Sequence, residues 1–206
     1  MYLPPQFEVN DRAWVMELID RNPFGSLVTA GATYPRVSHV PVLASLLDGE
    51  LRIVGHVARA NPHARSILER EPATIVVQGP HAYVSASWYE RPYETVPTWN
   101  YVAAHLCGRL RECDAWEAVR LLAERTEGAA GWDPQRLDSG FRDGQLRGIV
   151  AFEMRVEELY AKAKLSQNRT RADRERVREH LAASKDQVER ACAGEMARFL
   201  APEDTL

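Results

Sequence analysis

Short apolar stretches, separated by polar and turn residues, fill most of residues 24–113, whereas residues from about 170 onward show the spacing of helices. The first pattern predicts β-strands, in which successive side chains point to opposite faces. Turn signals separate the strands: Asp48-Gly49 is typical of a β-hairpin, and Gly79-Pro80 predicts a further turn. In chain order, the predicted strands span residues 24–30, 36–47, 51–57, 73–78, 81–87, 99–110 and 148–159.

Helical signals stand before, between and after these strands. A polar residue that accepts a backbone N–H bond favours a helix start, and a capping box strengthens that signal. The predicted N-caps are Asp11, Asn61, Asp114, Thr170 and Ser184, which begin helices at 12–20, 62–70 and 115–127 and two helices that close the sequence. Residues 128–144 are predicted to be loop.

The order of the elements favours antiparallel hairpins with inserted and appended helices, and it lacks the βαβα alternation of a parallel sheet. A closed barrel suits such strands because closure removes exposed edges. The predicted fold class is therefore mainly β with appended helices (α+β).

Composition narrows the function classes. The 206 residues are 45% hydrophobic and 27% charged, as in globular domains, with a net charge of −3. This charge disfavours a broad nucleic-acid-binding surface. No apolar run approaches membrane-spanning length, no signal peptide stands at residue 1, and the three cysteines form no CxxC pair. We therefore expect a cytoplasmic protein with reduced thiols and no membrane segment.

Two strand-associated segments are candidates for chemistry. In residues 36–41, His39 and Pro41 share one face of a strand, although a single strand histidine is more often structural. In residues 55–62, Arg59 precedes a helix start whose free N–H groups favour an anion, and its guanidinium matches phosphate. A capped connector with a solvated arginine explains the second segment equally well.

Two further segments are rich in aromatic or polar residues. Residues 85–101 contain two Trp and three Tyr, which line either a planar ligand or the core. Residues 162–169 combine Lys, Ser, Gln, Asn and Arg, which can bond a phosphate or a polar ring edge or form a solvated linker. The sequence has no GxSxG, HExxH, GxGxxG or metal-ligand histidine spacing.

Taken together, these segments resemble the PaiB-like family of FMN-binding proteins and negative transcriptional regulators. The residues that carry the resemblance are Met1-Tyr2-x-Pro4-x-x-Phe7, Asn22-Pro23-Phe24-Gly25-x-Leu27-Val28-Thr29, His39-Val40-Pro41, residues 55–62, residues 79–85, Trp88-Tyr89, residues 96–101 and residues 164–169. They follow one another in order over nearly the whole chain.

The resemblance implies an FMN-binding split barrel, an antiparallel Greek-key-type barrel with a C-terminal helical pair, like that of pyridoxine-phosphate oxidases and flavin reductases. It implies a homodimer with FMN at the subunit interface. The implied division is a split-barrel domain at 1–168 and a helical extension at 169–206, packed on the barrel or the dimer mate. Oxidases of this group usually carry an Arg-Lys pair where this chain has Arg59-Ala60-Asn61.

The cofactor-binding residues implied by the resemblance lie on the same segments. They are His39, Pro41, His56, Arg59, Asn61, Trp99, Asn100, Lys164, Ser166, Gln167 and Arg169. No residue stands out as catalytic and none as a metal ligand.

Three functional hypotheses remain open on the sequence. The first is an FMN-binding negative transcriptional regulator, and the second is a flavin-dependent oxidoreductase acting on an unknown small molecule, with His39 and His56 as the only proton donors near the site. The third is a dimeric module without a ligand. Acidic residues interleave with the arginines of residues 169–178, so we expect direct DNA binding to be weak.

Overall fold

Six strands form the sheet in the part of the chain that the structure describes. The computed structural model describes residues 1–128 and 131–199. The strands are β1 (Phe24–Thr29), β2 (Arg36–Leu47), β3 (Glu50–Ala58), β4 (Pro72–Val84), β5 (Thr98–Glu112) and β6 (Ile149–Lys164). They close into a barrel in the order β1-β2-β3-β6-β5-β4, and β1 pairs antiparallel with β2 and β4, as β3 does with β2 and β6. The predicted α+β fold with an antiparallel barrel is confirmed.

Within the described residues, six α-helices accompany the barrel. They are α1 (Arg12–Arg21), α2 (His63–Leu68), α3 (Ala115–Glu127), α4 (Ser139–Leu146), α5 (Arg171–Ala182) and α6 (Gln187–Arg198). Three predicted caps are confirmed: Asp11, Asp114 and Thr170 accept bonds from the backbone N–H groups of the first turns of α1, α3 and α5. No helix among the described residues has the length and hydropathy needed to cross a membrane.

The predicted turn at Gly79-Pro80 is wrong, because β4 continues through it. Buried positions alternate up to Gly79, and the phase then shifts by one residue so that Ala82 is the next buried position. Gly79-Pro80 thus changes which side chains face inward without ending the strand.

Two helix predictions also need correction. Residues 139–144, predicted to be loop, belong to α4, and Asp138 caps this helix by accepting the Phe141 N–H at 2.9 Å. Two glycines inside α4 lower its helix propensity and hide it from the sequence pattern. Residues 129–130 of the predicted loop lie outside the described residues. The last helix begins at Gln187 because Asp186, rather than Ser184, accepts the first-turn N–H.

The chain divides into two compact units. The hairpin unit comprises Asp11–Val77 and His105–Leu159, and the helical unit comprises Met1–Asn10, Gln78–Ala104 and Tyr160–Leu206. The hairpin unit has a core of aliphatic and aromatic side chains that includes Leu27, Ile53, Ile75, Leu106 and Phe152. The core of the helical unit includes Val102, Leu165, Leu181, Cys192 and Met196. The predicted domain boundary at 168/169 stays a prediction.

Candidate functional site

In the hairpin unit, the predicted residues of β2 and β3 lie on one outward face. Val40 and Val42 are buried, whereas His39 and Pro41 point away from the core. Val42 pairs with Gly55, so His56 occupies the β3 position beside Pro41. The imidazole Nδ1 of His39 lies 3.1 Å from the Ser26 hydroxyl. These strands therefore present a polar and ring-bearing surface.

Gly55 allows the close packing beneath this face. A Cβ at this position would lie 2.6 Å from the carbonyl oxygen of Pro41 and 2.7 Å from a ring carbon of Phe152. Neither the backbone nor a fully buried ring can yield that space cheaply. The glycine in the motif therefore serves strand packing directly under Pro41.

Arg59, which follows β3, is fixed by main-chain acceptors. Its Nε donates to the carbonyl oxygen of Arg147 at 2.8 Å, and one Nη donates to that of Ile149 at 2.9 Å. The remaining guanidinium N–H groups are exposed, and no carboxylate among the described residues forms an ion pair with them. The guanidinium is thus oriented without being neutralised.

Asn61 is engaged in a local network. Its Nδ2 donates to the Ser38 hydroxyl at 2.9 Å, and its Oδ1 accepts the His63 N–H at 2.9 Å. The Asn61 carbonyl accepts the next N–H, that of Ala64. The prediction that free N–H groups at this helix start favour an anion is therefore wrong, because Asn61 accepts the first two N–H groups of α2 and the Pro62 carbonyl accepts the third.

Ser38 and His63 are residues that the sequence did not single out. The Ser38 hydroxyl lies 2.8 Å from Nδ1 of His63, while Nε2 of His63 is buried with no partner among the described residues. Burial lowers the pKa of His63, and Arg36 lowers it further, against an opposing effect of Glu71. Burial likewise lowers the pKa of His56, whose Nδ1 has no partner in the part of the chain that the structure describes. Ser38 lies in the candidate segment of residues 36–41 and His63 directly follows residues 55–62, so closeness to these segments was the available signal.

In the helical unit, the predicted polar residues mostly bond to one another. Asn100 is fully buried; its Oδ1 accepts from the Ser166 hydroxyl at 3.1 Å and its Nδ2 donates to the Met196 sulfur at 3.5 Å. Lys164 donates to the Thr98 hydroxyl and to the Trp99 carbonyl. These bonds connect β5, the end of β6 and α6.

The turn after β6 is built by Ser166 and Gln167. Ser166 has a φ of +67°, in the left-handed region that non-glycine residues rarely occupy. Gln167 holds the turn by accepting the Leu165 N–H at 2.7 Å and donating to the Ala163 carbonyl at 2.6 Å. In this arrangement, both side chains shape the backbone that carries Arg169.

Arg169 lies on a small electropositive cavity. Its guanidinium carbon lies 4.7 Å above the ring centre of Tyr89. Lys164 and Arg169 line a cavity of about 90 Å³ together with hydroxyl and amide groups, and no carboxylate lines it. Burial lowers the pKa of Lys164, and the charges of Lys162 and Arg169 lower it further.

The aromatic rings of residues 85–101 serve both purposes that the sequence left open, since some line the core and others are exposed. Trp99 is 54% exposed and its ring lies 5.9 Å from that of Tyr83, edge to face. Tyr89 is buried, and Trp88 stacks on His180 of α5 with ring centres 4.9 Å apart. Some rings thus cover the interior of the helical unit, whereas Trp99 stays available to a ligand or partner.

The structure therefore distributes the predicted residues over two clusters. The hairpin-unit cluster contains His39, Pro41, His56, Arg59 and Asn61. The helical-unit cluster contains Trp99, Asn100, Lys164, Ser166, Gln167 and Arg169.

Comparison with known sequences identifies relatives over most of the chain. Residues 1–158 match the family model described as "Putative FMN-binding domain". The chain is 36% identical over 188 residues to the protease synthase and sporulation protein PAI 2 of Bacillus subtilis, covering 88% of this chain and 89% of that protein. An uncharacterised protein of Emericella nidulans is 27% identical over 79% of this chain and 83% of its own length.

Solved structures support the fold. The FAD- and heme-binding protein of Mycobacterium smegmatis has a TM-score of 0.59 at 18% identity, over 76% of this chain and 73% of that one. The flavocytochrome Anf3 of Azotobacter vinelandii has a TM-score of 0.60 at 16% identity, over 76% and 69%. These likenesses show a shared barrel fold, and the match of sequence over nearly nine-tenths of the chain shows that this protein belongs to the PaiB-like family of the FMN-binding domain class.

Proposed function

We propose that this protein binds FMN and that Arg59 holds the phosphate of the cofactor. The observation that carries the proposal is the fixed orientation of the Arg59 guanidinium, which two backbone carbonyls hold while other N–H donors stay exposed. A guanidinium matches phosphate oxygens in geometry and charge. A cation that is already oriented loses less conformational entropy when it binds an anion.

The neighbouring strand face suits the ring system. His39 and Pro41 point outward, and the Phe24 ring, 68% exposed, lies 6.2 Å from the His39 ring. Flat, partly apolar groups of this kind accommodate a planar heterocycle. When bound, the flavin supplies electron-transfer chemistry, and these residues supply binding and orientation.

A titration that compares FMN with riboflavin tests the phosphate assignment. Riboflavin lacks the phosphate, so we expect FMN to bind the wild-type protein more tightly, as measured by quenching of flavin fluorescence. Arg59→Ala should weaken FMN by about ten- to a hundredfold, which corresponds to about 1.5–3 kcal/mol for a charge-assisted bond. Riboflavin affinity should change little.

Arg65→Ala is the matched control. Arg65 is an exposed arginine of α2, where it pairs with Glu69 at 2.6 Å, so its removal changes the net charge equally without touching the clamp at Arg59. We expect the control to bind FMN like the wild type. Equal affinity for FMN and riboflavin would refute the phosphate assignment, and absence of any flavin binding would refute the cofactor itself.

We also propose the regulatory role that the family implies. We place the protein in the cytoplasm as a negative transcriptional regulator that does not bind DNA through a broad charged surface. Arg171 pairs with Glu175 and Arg176 with Asp173, so much of the positive charge on α5 is neutralised within the helix. Free cysteines at positions 107, 113 and 192 fit a reducing compartment.

Fluorescence anisotropy with duplex DNA tests this role. We expect weak binding to random DNA that falls steeply as salt rises, because few phosphates are neutralised. Submicromolar, salt-resistant binding to random DNA would contradict this view. A specific promoter sequence that binds tightly, with and without FMN, would instead identify the operator.

A flavin-dependent oxidoreductase is the second candidate, favoured by the half-buried His56, whose buried Nδ1 atom has no partner among the described residues. A neutral imidazole beside a flavin could move a proton. Stopped-flow reduction of the FMN-loaded protein by NADH or NADPH distinguishes the two candidates. Rapid reduction that is slowed by His56→Gln supports the enzyme, and its absence supports the regulator.

A homodimer is also part of the proposal. The helical unit exposes large apolar side chains, among them Tyr93, Val96 and Trp99, which are 100%, 68% and 54% exposed. Such residues commonly mark interfaces. We expect light scattering at micromolar concentration to give about twice the chain mass. A monomer under these conditions would exclude any flavin site shared between subunits.

A further inference from the structure

A cavity that opens on the surface of the hairpin unit lies away from both clusters. It has a volume of about 410 Å³ and is formed where the end of β1, the start of β4 and parts of β5 and β6 meet. Its walls are largely small residues such as Ala30, Ala73 and Gly108, which leave room for a small molecule. None of the residues assigned to FMN lines it.

A thiol lies in this cavity. Cys107 is half-buried, and its sulfur lies 3.4 Å from the hydroxyl of Thr74 on the neighbouring strand β4. Burial raises the pKa of the other two thiols, that of Cys113 to about 11 and that of Cys192 to about 12. Both stay protonated near neutral pH, so they are poor nucleophiles.

A second polar group of the cavity, the Thr29 hydroxyl, makes no hydrogen bond within the described residues. Thr29 lines the cavity and is only 3% exposed, yet its hydroxyl has no hydrogen-bond partner among the described residues. A buried hydroxyl without a partner is costly, and a ligand that supplies one removes the cost. This observation is independent of the thiol and points to a polar occupant.

The charged groups at the cavity have both signs. Arg109, Glu157 and Glu158 line it and are exposed, and neither Arg109 nor Glu157 forms an ion pair within the described residues. The charges of Arg109 and Glu157 therefore remain available to a ligand. A molecule with both carboxylate and ammonium groups complements this pair better than a simple anion or cation.

From the cavity, the thiol and the two free charges, we propose that this site takes a small disulfide with carboxylate and ammonium groups, and that Cys107 forms a mixed disulfide with it. Cys107 loses its proton to solvent, and its sulfur attacks one sulfur of the ligand. The S–S bond of the ligand breaks, a new S–S bond forms to Cys107, and the other half leaves as a thiolate that takes up a proton. The ligand disulfide is the oxidant, and no other is needed.

Intact-mass spectrometry of the full-length protein with glutathione disulfide tests the modification. We expect one adduct, mapped by peptide analysis to Cys107 and reversed by a thiol reductant. Cys107→Ser should remove it, whereas the matched Cys113→Ser should retain it. An adduct that forms first at Cys113 or Cys192, or that requires urea, would overturn the proposal.

Rates with three disulfides test recognition by the charged groups. Glutathione disulfide is anionic overall, cystamine is cationic and 2-hydroxyethyl disulfide is neutral. Arg109→Gln should slow the reaction of Cys107 with glutathione disulfide by about three- to tenfold relative to its reaction with the neutral reagent, since one partly screened charge contact is lost. Glu157→Gln should do the same for cystamine. Equal slowing with all three reagents would show that the charges act only on the thiol and would overturn the recognition step.

Discussion

In the hairpin unit, Arg59 is held by backbone carbonyls and keeps exposed N–H donors. In the helical unit, Asn100 and Ser166 are buried and bond to each other, and Gln167 bonds to the turn that contains it. Both clusters come from polar motifs of similar appearance. The difference teaches that a polar motif can either present a charged group to a ligand or stabilise the local backbone. Only the hydrogen-bond partners of its side chains distinguish these two roles.

The largest effect is expected from Asn100→Ala. The substitution leaves the Ser166 hydroxyl without its acceptor inside the helical unit, and a buried unsatisfied group costs about 1–3 kcal/mol. Urea unfolding should show this loss in the free energy of unfolding. Asn168→Ala, an exposed neighbour, is the control and should stay within about 0.5 kcal/mol. If both variants unfold alike, Asn100 is not a structural residue and the contrast between the clusters fails.

The second-largest effect concerns the hairpin unit, where we expect the free energy of unfolding to depend on pH. Burial lowers the pKa of His63 in the folded protein below its ordinary 6.5. As the pH falls below 6.5, the unfolded chain takes up the proton first, so the free energy of unfolding decreases toward acid. The slope from one such group cannot exceed about 1.4 kcal/mol per pH unit.

His63→Gln should flatten this acid-side slope without removing it, because burial lowers the pKa of His56 as well. Urea unfolding at a series of pH values measures the difference. Above about pH 7.5 the two profiles should run parallel, which serves as the internal control. Parallel profiles on the acid side too would mean that His63 is not held neutral by the fold.

The smallest effect is expected at Arg169, the member of the helical-unit cluster that lies over an aromatic ring and lines a cavity without a carboxylate. Arg169→Ala should lower the free energy of unfolding by about 0.5–1 kcal/mol in urea unfolding, because the guanidinium no longer lies over the Tyr89 ring. Arg91→Ala, which removes an exposed arginine of the same unit, is the control and should stay within about 0.5 kcal/mol. Equal losses in the two variants would show that the contact between Arg169 and Tyr89 does not stabilise this unit.

The sequence predicted the barrel well because turn residues such as Asp48-Gly49 separate its short apolar strands. In β1 to β3, buried and less buried residues alternate, as in strands that bury one face only. It failed at Gly79-Pro80 because the alternation of buried residues shifts there by one position. From the sequence alone, such a shift looks like a turn when the neighbouring strand is unknown. It failed at α4 because Gly140 and Gly144 conceal a helix that Asp138 caps.

The site was only partly predictable for a different reason. The motif around Arg59 indicated an anion-binding residue, but the acceptors that orient it, at Arg147 and Ile149, are 88 and 90 residues away in the chain. The bond between Asn100 and Ser166 spans 66 residues. No local pattern contains such pairs, so the distinction between a ligand-facing and a structural polar group required the fold.

The carbonyl clamp on Arg59 has an evolutionary consequence. Every amino acid at positions 147 and 149 supplies the same main-chain oxygen, so those positions can change while the guanidinium keeps its orientation. We therefore expect no compensating substitution at 147 or 149 when relatives carry another residue at position 59. Lysine at position 59 would keep the charge but could not span both oxygens with a rigid fork, so such relatives should hold their ligand with a more mobile cation.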